Sequence, residues 1–285
     1  MHLISDLTIL ENFLRRDPAL HAYGLGDLDE FFRPHTRWYA DHPDGPQALV
    51  LRYQPGNASP VYHALGDADR TEDFVRLLLE IRPEFPDDFE VHISPAILSR
   101  AVQLNLFRDF RMARRELHHK MEWRPAGPDG LAGKANQNDA IQIVRADTAG
   151  RSTLEQFYAQ AYPENWFDPR MLATGAYLIA CMHNSASNQS EIAPGDIVGA
   201  AGVHVYSEEY SVAALGNIAT HPEYRRQGVG RSLTAALCEL LRDQGIATVT
   251  LNVKSLNAAA IACYQSLGFR MHAKYEELSI TRQIS

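Results

Sequence analysis

A chain of 285 residues exceeds one typical domain, and 45% hydrophobic with 22% charged residues is the balance of a folded soluble protein, not of a disordered one. The formal charge of −8 disfavours a nucleic-acid partner, because phosphate binding requires a basic face. No run reaches the ~18 apolar residues of a membrane span, the acidic start MHLISDLTILENFLRRDP is neither secretory signal nor anchor, and Cys181, Cys238 and Cys263 show no CxxC or Cys/His ligand spacing. The expectation is a cytoplasmic protein with reduced thiols, no disulfide, no zinc site and no membrane partner.

In the first half, TEDFVRLLLEIR (71 to 82) reads as a helix and FEVHIS (89 to 94) as a strand. His118 and His119 in RRELHHKMEW resemble a metal pair, but neighbours on a strand point to opposite faces, so no metal is expected. The periodic pattern breaks in RPAGPDGLAGKANQND (124 to 139), which divides the chain into a first domain at 1–125, a linker at 126–139 and a second domain at 140–285. Across that break lies a weak internal repeat. Phe110-Arg111-Met112 recurs as Phe269-Arg270-Met271, 159 residues later, and at the same offset FEVHIS falls on TVTLNV and TEDFVRLLLEIR on GRSLTAALCELL.

The second half begins with a strand at IQIVRAD (141 to 147), a helix around STLEQFYAQAY (152 to 162) and a loop with a short helix in PENWFDPRMLATG. YLIACMH (177 to 183) and DIVGAAGVHVYS (196 to 207) read as strands separated by the polar NSASNQSEIAPG, and VAALGNIAT (212 to 220) as a mostly apolar central strand. A helix follows from Val229 to Gln244, with Leu233, Leu237, Leu240 and Leu241 at helical spacing. TVTLNV (248 to 253) is a strand, Asn257 opens a helix through Leu267, and a last strand covers Ala273 to Ile280.

Between the central strand and the long helix stands THPEYRRQGVGRSL. A glycine turn at a helix start is an anion site, since the first N–H groups lack internal partners and lie at the positive end of the helix dipole. Gly228 and Gly230 leave those groups uncovered, Arg225, Arg226 and Arg231 add positive charge, and Ser232 offers a hydroxyl. A P-loop is excluded because no lysine follows. A dinucleotide fingerprint fails too: GVGRSL ends in Leu233, and no acidic residue stands near Thr248. The remaining pattern, [QR]xxGx[GA], is met by Arg225, Gly228 and Gly230.

With GNIATHPEYRRQGVGRSL followed by TVTLNV and NAAAIACYQSLGF, residues 140 to 282 resemble the GNAT superfamily of coenzyme A dependent N-acetyltransferases. The resemblance implies an α/β (α+β) fold of two tandem GNAT-like domains, each a mixed, largely antiparallel sheet flanked by helices. The first copy is degenerate, because LGDADRTED replaces the RRQGVG turn with acidic residues. It also implies that Ile218, Ala219 and Thr220 offer backbone groups to the pantetheine arm, and that the N–H groups of Gln227, Gly228, Val229, Gly230 and Arg231 cradle the diphosphate. Acetyl-coenzyme A is then the co-substrate and no metal is required. Asn257 caps its helix and bonds the coenzyme's arm, and Tyr264 faces the sulfur as general acid. A phenol of pKa about 10 suits protonation of a departing thiolate of pKa about 8.5.

Many members carry a glutamate base on the strand before the turn, where this chain has Asn217. Tyr162, Glu164, Trp166, Phe167 and Asp168 fall in the segment that lines the acceptor site in such proteins. The expected activity is transfer of an acetyl group to a primary amine, on a small molecule or a protein, in a ternary complex. The competing reading is an acyl-coenzyme A binding or scaffold protein without turnover. Neither the acceptor, the base nor the oligomeric state is written in the sequence.

Overall fold

The computed structural model describes residues 1–125, 140–182 and 196–283; the expected linker at 126–139 and the polar stretch 184–195 lie outside them. The chain forms two compact units: Met1–Lys120 with Val253–Leu256 and Met271–Ser285, and Met121–Asn252 with Asn257–Arg270. Among the described residues no helix is long and apolar enough to cross a membrane.

In chain order the first unit contains β1 (His2–Ile4), α1 (Leu7–Leu14), α2 (Ala22–Gly26), β2 (Thr36–Ala40), β3 (Leu49–Tyr53), β4 (Val61–Ala64), α3 (Thr71–Ile81), β5 (Asp88–Ile93), α4 (Pro95–Gln103) and most of β6 (Phe110–Trp123). The second contains β7 (Ile141–Arg145), α5 (Arg151–Ala161), β8 (Leu178–Met182), β9 (Ile197–Ser207), β10 (Val212–Thr220), α6 (Val229–Asp243), most of β11 (Thr248–Lys254) and α7 (Ala258–Ser266). The last strand, β12 (Phe269–Arg282), starts in the second unit and from Met271 onward belongs to the first.

The first unit's sheet runs β1-β2-β3-β4-β5-β12-β6. Its pairs are antiparallel from β1 to β4 and between β5 and β12, whereas β4 and β5 are parallel. The α3 helix buries Phe74, Val75, Leu77, Leu78 and Ile81, the stripe that its 3.6-residue period sets on one face. The second unit's sheet runs β7-β8-β9-β10-β11, antiparallel except for the parallel pair β10/β11. There α6 buries Val229, Leu233, Leu237, Cys238 and Leu241.

Each unit thus contains a strand, a helix and a parallel strand, followed by a second helix: β4-α3-β5-α4 and β10-α6-β11-α7. The internal repeat is visible in the strands that follow, since β6 begins at Phe110 and β12 at Phe269 and each is 14 residues long. Expected elements of the second half recur within a few residues, apart from the last strand. It starts at Phe269 and not at Ala273, because Gly268, at φ 93°, closes α7 and turns the chain straight into extended backbone.

Candidate functional site

In the second unit the parallel ladder between β10 and β11 ends at Leu215 and Leu251, although β10 continues to Thr220. Toward β9 the register passes from Gly216–Gly202 to Ala219–Ala200, so Asn217 and Ile218 together oppose Ala201. Two residues against one is a bulge, which bends the strand and strengthens its twist. Asn217 occupies it at φ 53°, a left-handed conformation that asparagine tolerates better than most side chains. The consequence is a strand whose last residues, Ile218, Ala219 and Thr220, have left β11 and present main-chain groups to the gap.

Asn217 also fixes what surrounds the bulge. It is 4% exposed; its Nδ2 donates to Trp166 O (3.1 Å) and to the Tyr177 hydroxyl (2.9 Å), and its carbonyl accepts from the Tyr158 hydroxyl (2.8 Å). The Phe167 ring packs between Tyr158 and Tyr177 at 5.2 and 5.6 Å, and the half-exposed Trp166 meets His204 edge-on at 5.9 Å. The segment 162–168 is therefore anchored to the bulge. Asn217 Oδ1 is buried without a hydrogen-bond partner. Asp168 is committed elsewhere, since it accepts from the Arg170 N–H and pairs with its guanidinium at the start of the 3-10 turn Pro169–Thr174. Glu164 is exposed.

Asn217→Ala removes both Nδ2 bonds, withdraws a donor from the buried Tyr177 hydroxyl and places alanine in a left-handed conformation. The expected loss is about 2–3 kcal/mol of unfolding free energy, read by denaturant titration. A change below about 0.5 kcal/mol would contradict the clamp.

After β10 the chain makes a 3-10 turn at Pro222–Tyr224 and passes through the exposed Arg225, Arg226 and Gln227 to Gly228, at φ 83°. Gly228 caps α6 with no side-chain hydrogen bond, and the first intrahelical bond runs from Ser232 N–H to Gly228 O (2.9 Å). The N–H groups of Val229 and Gly230 stand ahead of that ladder, at the positive end of a 15-residue helix. A Cβ at Gly228 would meet nothing within 4 Å, so the turn opens outward, whereas one at Gly230 would approach Thr220 Oγ1 to 3.2 Å. Gly230 therefore lets the helix start lie close to the end of β10.

Arg225 Nε reaches Thr220 O at 3.4 Å, and Arg231 Nε donates to Ser266 Oγ at 3.3 Å. Arg226 makes no ion pair among the described residues. Ser232 is 1% exposed and its Oγ is buried without a partner. Backbone donors, an open glycine, nearby guanidinium groups and an unpaired strand edge can together hold an anion joined to an extended amide chain.

Asn257 caps α7 as its position suggested, accepting from the Ala260 N–H at 3.1 Å. On the same helix Tyr264 is partly buried, its ring 5.8 Å from Phe269, and its hydroxyl makes no hydrogen bond among the described residues. Burial pushes the Tyr264 pKa above the ordinary tyrosine value, with Cys263, Tyr162 and Cys238 adding to the rise. The cysteines are free: Cys238 and Cys181 are buried, Cys263 only partly so. Burial raises all three thiol pKa values, Cys181 to about 11, which leaves no activated thiolate nucleophile among them.

Sequence reasoning placed the turn, the cap and the tyrosine but missed the role of Asn217. The available signal was a glycine followed by asparagine inside an apolar strand, a pair that suits a bulge.

The model of the Acetyltransferase (GNAT) family matches residues 151–269. The [Ribosomal protein bS18]-alanine N-acetyltransferase of Escherichia coli (strain K12) is 54% identical over 57 residues, 20% of this chain and 38% of that protein. The Mycothiol acetyltransferase of Nocardioides sp. (strain ATCC BAA-499 / JS614) is 29% identical over 190 residues, 62% of each chain. The chain thus spans less than two thirds of the length of either relative. Among solved structures, a tandem GNAT protein from the clavulanic acid biosynthesis pathway superposes with a TM-score of 0.57 at 13% identity, covering 100% of both chains. The family-model match contains the bulged strand, the open glycine turn and both helices behind it, so residues 151–269 are similar to the GNAT acetyltransferase family.

Proposed function

We propose that the chain transfers an acetyl group from acetyl-coenzyme A to a primary amine by direct attack in a ternary complex. The observation that carries this reading is the union of two features in the second unit: β10 parts from β11 after Leu215, and the helix that follows starts at an outward-opening, left-handed Gly228. Ile218, Ala219 and Thr220 offer main-chain groups to the pantetheine amides. The N–H groups from Gln227 to Arg231 receive the diphosphate, with Arg225 and Arg226 adding charge. Gly230 keeps this start close to the strand, so one extended ligand can engage both.

Acetyl-coenzyme A supplies a thioester carbonyl open to attack by a neutral amine. Asn257 holds the start of α7, which fixes where Tyr264 stands. With its pKa raised, the Tyr264 hydroxyl keeps its proton through neutral pH and donates it to the departing thiolate. The anchored segment 162–168 forms a wall for the acceptor, with Trp166 half exposed. The two relatives are named for a ribosomal-protein alanine and for mycothiol, which supports a protein or small-molecule amine as the acceptor here. A cytoplasmic setting suits three free cysteines.

Tyr264→Phe is expected to lower kcat by about 100-fold while the KM for acetyl-coenzyme A changes less than about twofold. Because the raised pKa retains the phenolic proton to higher pH, Tyr264 should impose no alkaline limb on turnover below about pH 10. A limb near pH 8 that vanishes in Tyr264→Phe would overturn the raised pKa, and an unchanged kcat in that variant would remove the assigned role.

A second reading, a binder without turnover, draws support from Asn217 in place of a carboxylate and from the commitment of Asp168 to Arg170. Thiol release from acetyl-coenzyme A across a panel of amines separates the two. Transfer to any amine excludes the pure binder, and tight binding with no transfer favours it.

The first unit, we infer, does not take the same ligand. There β4 pairs with β5 along its whole length, Val61 to Ala64, and the first turn of α3 carries Glu72 and Asp73, which already supply negative charge to that helix end.

A further inference from the structure

We propose that the first unit binds a divalent transition-metal ion, zinc by its ligand chemistry, between Glu116 and His118 of β6 and Glu277 of β12, with His92 of β5 beside Glu277. In the sheet β12 lies between β5 and β6, and Glu277 stands directly opposite His92 in register. One carboxylate is therefore flanked by an imidazole on each side. His92 Nε2 lies 3.8 Å from Glu277 Oε1, and His118 Nε2 lies 3.7 Å from Glu277 Oε2. Ligand atoms of Glu116, His118 and Glu277 all fall within 4.8 Å of one another.

The two imidazole–carboxylate separations, 3.8 and 3.7 Å, are too long for hydrogen bonds, yet within about half an ångström of the ~3.3 Å ligand-to-ligand edge of a tetrahedral site with ~2.0 Å arms. His118 Nδ1 lies 3.3 Å from the Glu116 main-chain carbonyl, so Nε2 is the ring nitrogen turned toward Glu277. His118 is only 5% exposed, so bulk water screens this contact poorly.

Glu116 shows a matching division. Its Oε1 accepts from Lys254 Nζ at 3.0 Å, while Oε2 is buried without a hydrogen-bond partner, 4.0 Å from Arg114. The Tyr275 hydroxyl donates to Glu277 Oε1 at 2.8 Å. Such outer contacts orient ligands without consuming the atoms that face the ion. An imidazole and two carboxylates, with a second imidazole at His92 beside them, suit zinc or a neighbouring transition ion better than calcium or magnesium, which take oxygen sets. Spacing along one strand gave no metal, because His119 points away from His118. The other ligands come from strands that only the folded sheet brings together.

Full-length protein, stripped with a chelator and dialysed, should take up one zinc ion per chain in a calorimetric titration with zinc alone. His119→Ala should bind as the parent does. His118→Ala and Glu277→Gln should each weaken binding by more than the roughly 100-fold that loss of an outer partner can cost. Cobalt(II) in the parent should give the intense visible bands of a tetrahedral site, a readout that stands even where a variant fails to fold. Sub-stoichiometric zinc uptake, equal affinity in folded His118→Ala, or only the weak bands of octahedral cobalt would each overturn the site. None of these readings depends on acetyl transfer.

Discussion

Replacing Gly228 with valine is expected to abolish acetyl-coenzyme A binding while leaving most of the fold intact. The residue stands at φ 83°, where a β-branched side chain costs about 1–2 kcal/mol or more, but a Cβ there meets no atom within 4 Å. The penalty is conformational and local, and should lower Tm by ~2–4 °C for each kcal/mol. Binding suffers for a different reason, because the valine methyls would project over the N–H groups at the start of α6. Loss of even two charge-assisted hydrogen bonds corresponds to about 3–6 kcal/mol, or more than 100-fold in Kd.

Gly228→Asn separates strain from obstruction. Asparagine tolerates the left-handed region, so its Tm should stay close to that of the parent, yet its side chain occupies the same opening. Calorimetry with acetyl-coenzyme A on both variants provides the measurement. If Gly228→Asn binds with unchanged affinity, the diphosphate does not sit on these N–H groups, and the proposed ligand geometry goes with it.

Much of this site was legible in the sequence because its parts are local. The α6 turn rests on a few consecutive residues whose conformations follow from glycine chemistry, and Asn257 is a helix cap recognisable from the residues just after it. The FRM repeat was legible for another reason, since a repeat compares the chain with itself and needs no structure, but that both copies open a strand was not. The Asn217 bulge escaped because its cause is non-local. Whether Asn217 reads as a vacant base position or as a clamp depends on Tyr158, Trp166 and Tyr177, which lie 40 to 59 residues away in the chain. The same holds for the cluster of His92, Glu116, His118 and Glu277, where strand order decides the neighbours and no spacing rule reports it.

Strand order also governs the second large effect. A fragment of residues 140–285 is expected to fail as an independent protein, even though the family match at 151–269 lies wholly inside it. From Met271 onward the chain belongs to the first unit, and Glu276 to Thr281 pair antiparallel with Ile93 to Asp88 of β5. Tyr275, Leu278 and Ile280 are buried there, Arg115 makes a bidentate ion pair with Glu276, and Arg282 pairs with Asp87 at 2.7 Å.

Removing residues 1–125 strips all of these partners. At about 1.5–3 kcal/mol for each large apolar side chain returned to water, the loss is roughly 5–9 kcal/mol, comparable with the whole stability of an ordinary domain. It also leaves a long unpaired strand, which favours aggregation. The reciprocal fragment, 1–125, keeps β5 but lacks β12, so it should be equally unstable. Expressed together, the two pieces should be recovered as one soluble complex, because the missing strand is then supplied in trans. Gel filtration and thermal melting of each piece alone and of the pair provide the measurement. A monomeric 140–285 fragment that melts cooperatively near the parent Tm would mean that β12 does not depend on β5.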